Sequence, residues 1–99
     1  MAEERGCYLI SYDVPDDKQR LKIAQALEGY GERVQYSVFE VWATADELEK
    51  LRRQLARHVK AAGEARASVR IYPLCATCRG KRDILGKGDP TDVPDLIIV

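Results

Sequence analysis

An α+β domain in the ferredoxin-like order β-α-β-β-α-β, with an extra C-terminal strand, is what this chain predicts, on three observations. Segments rich in β-branched and aromatic residues alternate with stretches of helical apolar spacing. Both helical stretches open on a capping residue and close on glycine. At 99 residues the chain is long enough for one domain only.

Residues 7–14, Cys-Tyr-Leu-Ile-Ser-Tyr-Asp-Val, read as the first strand, stopped by Pro15. Asp16 or its neighbour caps a helix running to about Tyr30. Leu21, Ala24 and Leu27, with Ile23 and Tyr30, recur at helical spacing along it, and Gly29 and Gly31 mark its end. Arg33 to Ala43 reads as a long strand, with Val34, Tyr36 and Val38 on one side and Gln35, Ser37, Phe39 and Val41 on the other. Thr44-Ala45-Asp46-Glu47 is a capping box, in which hydroxyl and carboxylate satisfy each other's free backbone N–H groups. Behind it Leu48, Leu51, Leu55, Val59 and Ala62 form one stripe, ended by Gly63. Ala67 to Leu74 is a further strand, Lys81 to Leu85 a short one, and Leu96-Ile97-Ile98-Val99 a last one. The domain is expected over residues 1–86, with 87–99 as linker and C-terminal dimerisation strand.

Two helices on one sheet face leave the other face to water in a monomer, where it should be polar. Here Tyr8, Ile10 and Tyr12 alternate with Cys7 and Leu9, so the first strand is apolar on both faces. A two-fold partner is the simplest cover, which predicts a sheet-to-sheet homodimer with the apolar tail added as an edge strand.

Composition is ordinary for a globular protein, 45% hydrophobic and 32% charged. No apolar run approaches the roughly 20 residues of a membrane span, and the start lacks a signal-peptide layout. A cytoplasmic location is expected, with Cys7, Cys75 and Cys78 reduced. Net charge is zero, but residues 50–82 carry ten basic residues (Lys50, Arg52, Arg53, Arg57, Lys60, Arg66, Arg70, Arg79, Lys81, Arg82) against one acid, Glu64. That segment is either a solvated helix face or a polyanion-binding surface.

Asp13 ends an otherwise apolar strand. Such a carboxylate either caps the next helix or holds a cation, and one carboxylate is a sparse ligand set for Mg²⁺ unless a two-fold axis supplies a second. Arg20, one turn into the first helix, either pairs with Asp16 or Asp17 or offers its guanidinium to phosphate; Arg33 has the same choice between solvent and phosphate. Phe39 and Tyr12 read first as sheet residues. Cys75-x-x-Cys78 supplies half of a tetrahedral zinc site, completed only if two copies of the loop meet. The redox use of C-x-x-C belongs to a different fold setting. His58 is the sole histidine and reads as a surface residue. With no Ser/Cys–His pair, any hydrolysis here is expected to be metal-assisted.

Tyr12-Asp13-Val14-Pro15-Asp16-Asp17-Lys18-Gln19-Arg20, Arg33-Val34-Gln35-Tyr36-Ser37-Val38-Phe39-Glu40, and Val69-Arg70-Ile71-Tyr72-Pro73-Leu74-Cys75 with Lys81 to Gly86 occur in that order. From about Tyr8 to Gly86 the chain resembles the small subunit of the CRISPR spacer-acquisition machinery, the CRISPR-associated protein two family. The resemblance implies a homodimer that bridges copies of the larger integrase subunit and lies along duplex DNA. It also implies an Mg²⁺-dependent (or Mn²⁺-dependent) endonuclease acting on single-stranded RNA or on duplex DNA, with Asp13 as metal-binding and catalytic residue. Arg20, Arg33 and Phe39 stand at its functional arginine and aromatic positions. Two other readings of the residues are a stand-alone toxin-like endoribonuclease and a nucleic-acid-binding module without chemistry.

Overall fold

The computed structural model describes residues 4–88. Over them the chain runs β1 (Gly6–Asp13), α1 (Asp17–Glu28), β2 (Gly31–Gln35), β3 (Val38–Ala43), α2 (Ala45–Ala62), β4 (Ser68–Leu74) and α3 (Ala76–Gly80). The four strands form one antiparallel sheet in the order β2-β3-β1-β4. This is the expected ferredoxin-like arrangement.

Both long helices begin where their side chains dictate. The Asp16 carboxylate accepts from the Gln19 N–H at 2.9 Å, which opens α1. Thr44 Oγ1 accepts from the Glu47 N–H at 3.2 Å, and Glu47 Oε1 accepts from the Thr44 N–H at 2.8 Å, closing the capping box of α2. The Thr44 N–H, and after it Arg5 at 3.1 Å, hold the Glu47 carboxyl below its ordinary pKa. Gly63 ends α2 at φ 101°, a conformation that disfavours any side chain.

Ile10, Tyr12, Phe39 and Val41 from the sheet pack against Ile23, Ala24 and Leu27 of α1 and Leu51 and Leu55 of α2. Leu21 departs from the expected stripe: it is mostly exposed, because Ile23 and Leu27 carry the buried face of α1. His58 is not a plain surface residue. It lies half-buried between the helices with Nδ1 2.9 Å from Gln19 Oε1, and burial, then Lys22 and Arg57, depress its pKa.

Three local expectations are corrected. Arg33 to Ala43 is not one strand but the β2–β3 hairpin, reversing at Tyr36-Ser37 with an irregular register between Arg33 and Gln35. No glycine or asparagine marks that turn. β1 fixes it instead, the Tyr12 N–H donating to the Ser37 carbonyl at 3.0 Å and the Tyr12 hydroxyl to that of Tyr36 at 3.5 Å. Lys81 to Leu85 is irregular rather than a strand. The third is α3, unforeseen, which lies against the sheet's second face. There Arg79 stacks on the Trp42 ring at 4.7 Å, and Arg82 pairs with Glu40 at 2.5 Å. Cys7 and Trp42 are thereby buried. The chain itself therefore covers part of the face that had been assigned to a partner. The strand expected at 96–99 lies outside the described residues.

Gly31 allows β2 to pair. A Cβ there would sit 2.0 Å from the Glu40 carbonyl oxygen and 2.6 Å from the Val41 Cα, both backbone. Gly31→Ala is therefore expected to push β2 off β3 and cost about 1–3 kcal/mol, the range for overpacking. A urea melt checks this, and an unchanged midpoint would mean that the hairpin edge yields freely.

Candidate functional site

Strand alternation separates the expected site residues. Tyr12 points into the helix-side core, so its neighbour Asp13 turns to the opposite face, where the strand ends and the carboxylate is exposed. Among the described residues the Asp13 side chain has no hydrogen bond or ion pair, and no group of three or more His, Cys, Asp or Glu gathers to hold a metal.

Arg20 and Arg33 meet in one cleft on the helix side. Tyr12, Asp17, Arg20, Leu21, Ala24, Arg33 and Tyr36 line about 300 Å³ there. Arg20 Nη1 donates to the carbonyls of Val14 (3.0 Å) and Pro15 (3.4 Å), bracing the loop that follows Asp13. Its other nitrogen pairs with Asp17, which raises its already high pKa. The ion pair expected with Asp16 or Asp17 thus forms with Asp17, while Asp16 serves as the cap. Arg33 Nη1 donates to the Tyr36 carbonyl at 3.3 Å, and its guanidinium stacks on Phe39 with 5.3 Å to the ring centroid. Arg33 is exposed, and a guanidinium can donate in bidentate fashion to phosphate oxygens.

Phe39 is fully buried and meets the Tyr12 ring at 6.3 Å. Nothing of it faces the cleft, so it acts on the site through the groups it supports. Burial, foremost, pushes the Tyr12 phenol up, keeping it a neutral donor to the turn. Tyr36 is the residue that motif reading missed as a site candidate. It lines the cleft and is 68% exposed, its ring available for stacking. Its only sequence signal was an aromatic beside Arg33, and that reads equally as a strand residue.

The basic segment divides. Arg52 and Arg53 are mostly exposed on α2 and make loose pairs with Glu49 at 4.0 and 3.7 Å. Lys50, Arg57, Lys60 and Arg66 are exposed around them, as are Lys18 and Lys22 of α1. Arg79 and Arg82 are occupied on the second face. No helix of the described residues is long and apolar enough to cross a membrane.

The chain is similar to known proteins. A Chloroflexus aurantiacus protein named CRISPR-associated endoribonuclease Cas2 1 is 46% identical over 92 residues, 93% of this chain and 97% of its own length. A Thermus thermophilus protein named CRISPR-associated endonuclease Cas2 2 is 43% identical over 92 residues, covering 93% and 94%. A chain of the partial Cas6-RT-Cas1–Cas2 complex superposes with a TM-score of 0.70 at 34% identity, over 81% of this chain and 90% of that one. The sequence profile described as CRISPR associated protein Cas2 matches residues 7–82, which takes in both halves of the cleft and Asp13. The chain belongs to the Cas2 family.

Proposed function

We propose that this protein acts in CRISPR adaptation as a homodimer that binds duplex DNA and bridges copies of the larger integrase subunit. The observation that carries the reading is the exposed basic face of α2 and α1, on the side of the molecule away from the sheet's second face. Guanidinium and ammonium groups spread along helices neutralise successive phosphates without reading bases, as suits DNA of any sequence. The solved partial Cas6-RT-Cas1–Cas2 complex, with its similar chain, supports Cas1 as the partner.

Beyond the end covered by α3, no other helix of the described residues lies on the second face. Leu9 lies beside Tyr72 in the β1–β4 register, Ser11 beside Arg70, and Asp13 beside Ser68. A second copy laid on that half would bring two Asp13 carboxylates toward one axis. That donor set fits Mg²⁺, which takes one or two carboxylates and keeps several waters; Asp13 from each copy would hold it. Bound there, Mg²⁺ supplies Lewis acidity toward a phosphate oxygen and makes a water more acidic. Arg20 and Arg33, on the other side of the same strand end, position phosphate. The relatives' names, endoribonuclease and endonuclease, support RNA or DNA as substrate.

Binding to unrelated duplexes should fall steeply with salt, and Arg52, Arg53 and Arg57 changed together to Glu should weaken it at least about tenfold on each. Fluorescence anisotropy over a salt series, with light scattering of the same samples, measures both the binding and the dimer. Strong preference for one sequence, or a stable monomer of 11.2 kDa, would sink the bridging reading.

A further inference from the structure

We propose that Cys75 and Cys78 form a reversible disulfide site, oxidised by exchange with low-molecular-weight disulfides. Both cysteines are exposed and free, in contrast to the buried Cys7. Cys75 caps the first turn of α3, where its Sγ accepts from the Cys78 N–H at 3.3 Å. That bond seats the Cys78 backbone on the Cys75 sulfur, so the two residues already adjoin. Their chemistry is unequal. The Cys78 N–H, and then its thiol, hold Cys75 below the ordinary thiol pKa, while donating to Cys75 pushes Cys78 up. The more acidic thiol, suited to attack, and a less acidic one, suited to resolve, are therefore neighbours in one turn. Cys7 is excluded from the exchange, since burial, foremost, raises its thiol.

The reaction balances without a cofactor. The Cys75 thiolate attacks one sulfur of a disulfide RSSR, forming a mixed disulfide and expelling RS⁻. Cys78 then loses its proton and attacks the Cys75 sulfur, closing the internal S–S bond and expelling a second RS⁻. The two leaving thiolates take up the protons the cysteines gave up. The pair is oxidised by two electrons and RSSR is reduced by two. A zinc site is the weaker use of the pair, because no third ligating side chain joins it among the described residues. The bond would fix the first turn of α3, the element whose Arg79 covers Trp42.

The test exposes the reduced full chain to glutathione buffers of stepped oxidised-to-reduced ratio, followed by acid quench, intact mass and tryptic mapping. The wild type should lose two hydrogens, retain no glutathione, and show the bond within residues 71–79. Cys78→Ser should keep one glutathione on Cys75, and Cys75→Ser should react at least about tenfold more slowly, at Cys78. Added dithiothreitol should restore both thiols. Glutathione retained on both cysteines of the wild type, linkage between two copies, or equal rates in the two variants would overturn the proposal. So would stoichiometric zinc binding that shields both thiols of the reduced protein from glutathione.

Discussion

Asp13→Asn is expected to lower divalent-metal-dependent cleavage of RNA or duplex DNA at least about 100-fold, the scale on which losing ligand support weakens metal sites. Fold and dimerisation should be unchanged. The carboxylate is exposed at the end of β1 and nothing among the described residues bonds to it, so the amide leaves no buried group unsatisfied. What it removes is the anionic oxygen that a hard cation requires. Duplex binding should hardly move, since the basic faces of α1 and α2 lie on the other side of the sheet. Cleavage of a labelled RNA and a labelled duplex by wild type and variant, with and without EDTA, decides the matter. Full activity in Asp13→Asn would place the chemistry elsewhere. No activity in the wild type at any metal concentration would leave the protein a purely architectural bridge.

The parts of this molecule legible in the sequence are those fixed by local chemistry. Thr44 and Glu47 spell out a capping box, Asp16 a cap, and Gly63 a left-handed stop, and all three hold. Ile10, Leu27, Leu51 and Leu55 are core because their spacing admits little else. The misses have tertiary causes. The reversal at Tyr36-Ser37 lacks turn residues because the end of β1 supplies the bonds that hold it, and β1 is remote in sequence. Ala76–Gly80 has no apolar period, being a five-residue helix fastened by Arg79 on Trp42 and flanked by Arg82 on Glu40. For the same reason the basic count of residues 50–82 overstated the polyanion surface, since two of those arginines turn inward. The motif around Asp13 was visible at once. That Asp13 and the two arginines emerge on opposite sides of one strand end needed the register.

Phe39→Ala should be the most destabilising single truncation in this core, by about 3–5 kcal/mol, the usual cost of emptying a buried aromatic site. Phe39 is 0% exposed and is among the largest fully buried side chains. Small domains hold only about 5–15 kcal/mol in all, so the variant should melt more than about 12 °C lower. Activity will fall with it, for two reasons that a second substitution separates. The ring is the platform under the Arg33 guanidinium and the neighbour of Tyr12, whose hydroxyl reaches the Tyr36 carbonyl. Losing it frees both arms of the cleft. Phe39→Leu restores most of the volume but no π-face. It should recover all but about 1.5 kcal/mol of stability, and most of the nucleic-acid binding, because packing rather than stacking on a base is the role of the ring. The Arg33 contact would lose only its cation–π part, about 0.5–1 kcal/mol at an exposed site. Thermal melts and binding titrations of the three proteins at matched folded fraction test this. If Phe39→Leu melts near the wild type yet binds no better than Phe39→Ala, then Phe39 must leave the core to meet nucleic acid, and the cleft as drawn is a resting form.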